Sequence, residues 1–171
     1  LSLSGSITIK SIPQGFSHSA RVLESLDLSG CKILSGGLNF VKALPALTAL
    51  NLTECKNLDC TNALSQLSSW SPTSTRLERL HLSGTNVRGT LTVEIIAWLS
   101  TLKEKNLRSC GVLTLPEAFQ ESPGLDCLDL ETMSTIRGTL KSFSNLHSIT
   151  SLNLRGCQRF TGFLHPLAHL K

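Results

Sequence analysis

Aromatic side chains are scarce in this sequence. They make up 5% of its 171 residues, and tyrosine is absent. The chain is nevertheless 40% hydrophobic, so a substantial core is expected, and aliphatic side chains must supply most of it. This balance favours stacked aliphatic layers over one large core that is held by bulky aromatic anchors.

Clustered positive charge and long apolar runs are also lacking. The net charge of +4 comes from 16 basic and 12 acidic residues that are scattered along the chain. No group of lysines and arginines is dense enough to follow a phosphate backbone, so nucleic acid is not expected as a partner. No apolar run approaches the roughly 18 residues of a membrane-spanning helix, and the opening LSLSG does not resemble a secretion signal. The sequence therefore predicts no membrane span in this chain.

Leucine, by contrast, is placed regularly. The pattern LxxLxL recurs, and its last leucines follow one another at steps of 25, 24, 30, 25, 23 and 24 residues. These last leucines are Leu3, Leu28, Leu52, Leu82, Leu107, Leu130 and Leu154. Self-similarity at such a period predicts a solenoid, in which each repeat stacks on its neighbours.

The stretch from Leu77 to Thr85, LERLHLSGT, shows the repeating unit in full. It resembles the leucine-rich-repeat family, whose unit is LxxLxLxx(N/C)xL. Short pieces such as Gly89-Thr-Leu91 resemble plant-type repeats and the surface repeat proteins of some protozoa. The resemblance implies an α/β leucine-rich-repeat solenoid, a right-handed superhelix with a parallel concave sheet and an irregular or short helical convex side. Residues 1–171 are predicted to form one such domain of about seven rungs, a fragment that lacks both caps.

Four cysteines follow the last leucine of their rung by three residues: Cys31, Cys55, Cys110 and Cys157. In the family this place holds an inward Asn or Cys, and Thr85 offers a hydroxyl there. We predict that these thiols are reduced and point inward, where they make weak hydrogen bonds. Cys127 falls on the outward face of its strand and is predicted to react first. Reduced interior thiols favour an intracellular location, and a cell-surface or secreted location stays open.

Two places depart from the repeat. The step of 30 residues contains a surplus at residues 68–75, a Ser/Thr/Pro-rich stretch that predicts a loop. In the fifth rung Lys105 stands where a leucine belongs. Because an unpaired buried ammonium is costly, we expect its side chain to snorkel outward, to distort its strand, or to pair with Glu104 or an acidic partner group.

The residues between the inward leucines form the candidate binding surface, because the resemblance places them on the concave sheet facing solvent. No aromatic residue falls on this face, and interface hot spots favour arginine among the residues that remain. The predicted partner-binding residues are Arg79, His81, Asn106, Arg108, Asp129, Glu131, Asn153 and Arg155. A solvated face with no partner in this fragment is the alternative.

A second candidate surface involves the tryptophans. Residues 92–102 are the best helix candidate, and Ile95 and Trp98 fall away from its inward stripe. Together with Trp70, from the preceding return, they would form an exposed apolar patch on the convex side. The alternative is that both tryptophans cover gaps opened by the long step.

Catalytic and metal-binding patterns are coincidences of residue type. Asp27 lies rungs away from His81 and Ser83, and no pocket or oxyanion hole is implied for these three residues. His165 and His169 have a spacing seen in metal ligands, yet no third potential ligand lies at a matching spacing in the sequence. We therefore predict no catalytic residue, no metal and no cofactor.

Together these features predict a protein–protein interaction module that binds a protein partner on its concave face, by itself or within a larger complex. The first alternative is a structural or assembly subunit, held through its ends and through the convex side around Trp70 and Trp98. An enzyme is the third reading. The identity of the partner is not predicted.

Overall fold

Short parallel strands joined by longer returns make up the fold. The structure, a computed structural model, describes residues 1–13, 16, 20–58, 76–111, 113–117, 119, 127–131, 133–164 and 167–168. In chain order the strands are β1 (Ser25–Asp27), β2 (Ala49–Asn51), β3 (Arg79–His81), β4 (Gly89–Thr90), β5 (Glu104–Asn106), β6 (Leu113–Thr114), β7 (Cys127–Asp129), β8 (Ile136–Thr139), β9 (Ser151–Asn153) and β10 (Phe160–Thr161). The helices are α1 (Val93–Thr101) and the 3₁₀ helices η1 (Leu38–Ala43) and η2 (Leu140–Phe143).

The strands that carry the repeat, β1, β2, β3, β5, β7 and β9, are called the leucine strands. Side chains alternate along a strand, so the middle residue of each three-residue strand points inward. In the parallel sheet β1-β2-β3-β5, Leu26 is paired with Leu50, Leu50 with Leu80, and Leu80 with Lys105. The three leucines are buried, and full burial of each stabilises the fold by about 1.5 to 3 kcal/mol. The predicted parallel pairing is confirmed for the rungs of β1, β2, β3 and β5.

The leucine strands form two sheets, because the pairing stops between β5 and β7. In the regular rungs the amide of the last leucine donates to a carbonyl of the next leucine strand, as Leu82 does to Asn106 at 2.8 Å. Among the described residues the amide of Leu107 has no such partner. The Asp129 amide donates instead to the Ser100 hydroxyl, 3.3 Å away at the end of α1. Within the described residues the parallel leucine strands are therefore divided into two sheets.

The returns contain a further parallel sheet, in the order β10-β8-β6-β4, whose members are called the return strands. Leu113 is paired with Gly89 on one side and with Ile136 on the other. The Thr90 and Thr114 hydroxyls lie 3.1 Å apart on the outer face. The family resemblance implied irregular or short helical segments in the returns, so these strands correct that expectation. Two-residue strands are too short to show an alternating pattern, and stacking of the repeats aligns them.

The predicted inward cysteines form a ladder between rungs. Each thiol donates to the carbonyl of the last leucine one rung earlier: Cys31 to Leu3 (3.3 Å), Cys55 to Leu28 (3.0 Å), Cys110 to Leu82 (3.1 Å) and Cys157 to Leu130 (3.0 Å). All four are free thiols. Burial raises the pKa of the half-buried Cys157 thiol to about 11, so it remains protonated at neutral pH. Cys60 and the side chain of Cys127 lie outside the described residues.

The helix α1 begins one residue after the Thr92 hydroxyl, which accepts the Ile95 amide hydrogen at 3.4 Å and caps the first turn. This confirms the predicted helix. Ile95 and Trp98 are only 1% and 4% exposed, so the predicted exposed patch is wrong for both. Helix α1 contacts β7, and it buries Ile95 and Trp98 together with Val93, Ile96 and Leu99. Trp70 and the surplus at residues 68–75 lie outside the described residues.

The helices of the structure are short. Within the described parts of the chain, none is long and apolar enough to cross a membrane. Helix α1 spans nine residues.

Candidate protein-binding surface

The outward side chains of the first four paired leucine strands line a shallow groove of about 300 Å³. This first groove is lined by Ser25, Leu26, Asp27, Ala49, Leu50, Asn51, Arg79, His81 and Glu104. Parallel pairing sets Arg79 beside Glu104, and His81 Nε2 lies 2.9 Å from a Glu104 carboxylate oxygen. Arg79 and His81, both predicted partner-binding residues, are therefore brought together by β3. Glu104 was not among the predicted residues, although it occupies an outward position of its strand.

Three of the predicted binding residues also have a structural role. The side-chain oxygens of Asn106, Asp129 and Asn153 accept the backbone amide hydrogen two residues further on, at 2.9 to 3.1 Å. Asp27 and Asn51 make the same contact in earlier rungs. Such a bond turns the chain at the end of a strand. The recurrence of Asp or Asn at this place in the sequence is the signal that could have shown it.

A second groove, of about 320 Å³, lies across the division between the two leucine-strand sheets. It is lined by Arg108, Glu131, Ser134, Arg155, Gly156 and Gln158. Arg108 follows β5, whereas Glu131 and Arg155 follow β7 and β9. The structure thus gathers three predicted binding residues from three rungs. Ser134 and Gln158 were missed because they belong to the turns after the strands.

Glu131 holds the centre of the second groove. One of its oxygens accepts a hydrogen bond from the Asn153 amide group at 3.0 Å, and the other lies 3.7 Å from an Arg155 guanidinium nitrogen. Arg155 is exposed, so this ion pair is weak. Arg108 is exposed as well and forms no ion pair with any described residue. The groove therefore offers two guanidinium groups and only one carboxylate.

The division between the sheets is bridged by an ion pair. Lys105, at the inward position of β5, donates from Nζ to Asp129 Oδ2 at 2.6 Å, and its side chain is 11% exposed. Of the outcomes expected for Lys105, the structure shows an acidic partner, but on β7 rather than at Glu104. Burial raises the pKa of the Asp129 carboxyl, but the hydrogen bonds from Lys105 and the Glu131 amide, with the charge of Lys105, hold it below its usual value.

The residues considered for catalysis are not assembled into a site. Asp27 lines the first groove with His81, but its carboxylate accepts the Ser29 amide hydrogen, and His81 faces Glu104. No cluster of three or more potential metal ligands occurs within the described ranges. His165 and His169 lie outside them.

Comparison with known protein families gives one match. Residues 22–44, which contain β1 and η1, match the family model described as Leucine Rich Repeat. The chain carries a leucine-rich repeat. The family assignment made from the spacing of the leucines is confirmed. Comparisons with curated proteins and with solved structures give no significant match.

Leucine-rich repeats generally mediate protein–protein interactions, and the family is typically not enzymatic. In this chain the matched repeat supplies Asp27 and Leu26 to the first groove. The second groove lies further along the chain, in the rungs of Leu107, Leu130 and Leu154, the first of which has Lys105 in place of a leucine. The matched repeat therefore suggests a protein as partner.

Proposed function

We propose that this chain is a protein-binding module whose leucine strands line the concave face of a leucine-rich-repeat solenoid over residues 1–171. The second groove is the contact point in this proposal. The observation that supports this proposal is that Arg108 shares the second groove with Arg155 and Glu131. Arg108 is exposed and forms no ion pair among the described residues. Arginine is favoured at interface hot spots and binds carboxylates in a bidentate way.

The chemistry of the groove defines the kind of partner. Two guanidinium groups favour a segment that presents acidic side chains. Glu131 favours a hydrogen-bond donor between those acidic groups. A longer partner segment would also contact Arg79 and His81, which line the first groove. Charges at the rim of such a surface set the association rate and its salt dependence.

The partner is first identified by cross-linking and affinity capture with the natural sequence. The dissociation constant of the purified partner is then measured for each variant. Arg108→Gln with Arg155→Gln is expected to weaken binding by at least about tenfold, a change of about 1.4 kcal/mol. The matched control is Arg21→Gln with Arg88→Gln, which removes the same charge from exposed positions outside both grooves. The control is expected to bind as the natural sequence does.

Other outcomes redirect the proposal. Loss of binding only in Arg79→Gln with His81→Gln would place the contact in the first groove. Unchanged binding in all of these variants would contradict the proposal and favour the assembly subunit held through its ends and convex side. That alternative has lost Ile95 and Trp98 as exposed contacts, because both are buried.

A further inference from the structure

Two arginines lie side by side on the outer face of the return strands. The parallel pair β8 and β10 sets Gly138 beside Phe160 and Thr139 beside Thr161. One step earlier in the same register, Arg137 comes beside Arg159. Ile136 is buried and Gly138 is half-buried against the Leu115 side chain. Because side chains alternate along a strand, the two arginines and the two threonines share the exposed face.

These side chains border an open groove of about 560 Å³, which is lined by Arg137, Gly138, Thr139, Arg159 and Thr161. No acidic residue lines it. Within the described parts of the chain, neither Arg137 nor Arg159 takes part in an ion pair. Glu117, on the segment after β6, is already paired with Lys141 at 2.8 Å. The two positive charges on neighbouring strands therefore have no counter-ion among the residues that the structure describes.

Like charges directly opposite each other on neighbouring strands destabilise a sheet, and an anion between them would reverse that effect. Neighbouring strands are about 4.8 Å apart, so both guanidinium groups can reach one small anion. A phosphomonoester carries about −1.5 to −2 charges and three acceptor oxygens at neutral pH. It matches two guanidinium forks and the Thr139 and Thr161 hydroxyls, which can also donate. A carboxylate has a single charge and would occupy only one fork.

We infer that this groove, the return-strand groove, binds a phosphorylated serine or threonine of a protein partner. It is separate from the surface proposed above and does not depend on it. The groove has no aromatic side chain on which a nucleic-acid base could stack. It also has no large apolar side chain that could enter a membrane. A projecting phosphoryl group on a peptide needs neither.

The test measures fluorescence anisotropy of a labelled, glycine-flanked phosphoserine peptide at low ionic strength. The same peptide with unmodified serine and with aspartate are the ligand controls. Phosphoserine is expected to bind at least about tenfold more tightly than either control peptide. Arg137→Gln and Arg159→Gln should each weaken binding, and the double variant should remove it. Arg21→Gln with Arg88→Gln is the matched control and should leave binding unchanged. Thermal unfolding of each variant shows whether the fold is kept.

Several results would overturn the inference. One is equal binding of the aspartate and phosphoserine peptides, and another is binding that survives the double variant in a folded protein. A third is a peptide affinity no higher than that of inorganic phosphate, which would show a site for the free ion. Stronger binding to phosphatidylcholine vesicles that contain phosphatidylinositol 4-phosphate, or to single-stranded RNA, would assign the groove to a lipid or a nucleic acid instead. None of these results bears on Arg108 and Arg155.

Discussion

Lys105 is the described residue that departs most from the leucine repeat. It occupies the place of Leu26, Leu50 and Leu80, where an apolar side chain would be buried. Its ammonium group reaches Asp129 at 2.6 Å. A buried ion pair recovers its desolvation cost only in part, so apolar replacements of both partners are often neutral or stabilising. Removal of one partner leaves a charge uncompensated and is destabilising.

The single and double substitutions at this ion pair are therefore expected to change stability in opposite directions. Asp129→Asn alone should lower the free energy of unfolding by about 1 to 3 kcal/mol, because Lys105 loses its counter-charge while mostly buried. Lys105→Leu with Asp129→Asn should be at least as stable as the natural sequence and up to about 3 kcal/mol more stable. Asparagine keeps the side-chain oxygen that accepts the Glu131 amide hydrogen, as Asn106 and Asn153 do in their rungs. Urea unfolding of the four proteins of this cycle measures the coupling.

The control for this cycle is an exposed ion pair, Lys103 with Glu78, 2.9 Å apart. Neutralising it should change stability less than Asp129→Asn does, because solvent screens both charges. Acidification gives a second check. The pKa of Asp129 is lower in the folded chain, so its stabilisation is present above the unfolded-state pKa and is lost as the pH falls through the folded-state value. The stability difference between the natural sequence and Asp129→Asn should therefore shrink below about pH 4. A double variant less stable than both single variants would contradict the prediction.

At the scale of elements, the surroundings of α1 decide the role of Trp98. The sequence places Ile95 and Trp98 off the first inward stripe of the helix, which suggested exposure. Helix α1 contacts β7, and Trp98 is 4% exposed. The helix therefore buries Ile95 and Trp98 as well as its inward stripe of Val93, Ile96 and Leu99. A hydrophobic patch on one helix does not reveal which neighbouring strand will cover it.

Trp98→Ala is expected to lower the free energy of unfolding by about 3 to 5 kcal/mol, because it removes a large buried side chain and leaves a cavity. Thermal or urea unfolding measures the loss. Glu94→Ala, an exposed position of the same helix, is the control and should stay within about 0.5 kcal/mol. Trp98→Phe should give an intermediate loss, which keeps the test informative if the alanine variant fails to fold. A Trp98→Ala loss below about 1 kcal/mol would restore the exposed patch.

The sequence is informative wherever one residue type repeats at a fixed place. The inward leucines, the cysteine ladder and the limits of α1 could be predicted because each depends on local alternation or on the repeat itself. The return strands could not, since Gly89–Thr90 and Leu113–Thr114 are too short for a pattern. For the binding surface, the sequence identified outward positions but not their partners. It did not show that Asn106, Asp129 and Asn153 turn the chain.

At the scale of the whole molecule, the division between β5 and β7 separates two sets of leucine strands. On either side of it the ladder of amide bonds is regular: Leu28 donates to Asn51, Leu52 to His81, Leu82 to Asn106 and Leu130 to Asn153, at 2.8 to 2.9 Å. Leu107, at the division, has no such bond within the described residues, although it is only 1% exposed. Within the described residues, the rung of Leu107 is therefore buried at this amide without the bond that its neighbours make.

Hydrogen exchange followed by NMR should show this rung directly. The Leu107 amide is expected to exchange at least about tenfold faster than those of Leu82 and Leu130, because its exchange does not require a bond between strands to break. Leu82 and Leu130 are matched controls at the same place in flanking rungs. If the ion pair holds the division open, Lys105→Leu with Asp129→Asn should slow exchange at Leu107 toward the rate at Leu82. Fast exchange that persists in this double variant would place the cause in α1, whose Ser100 hydroxyl already takes the Asp129 amide hydrogen. Equal protection of Leu107 and Leu82 in the natural sequence would mean that β5 and β7 pair after all.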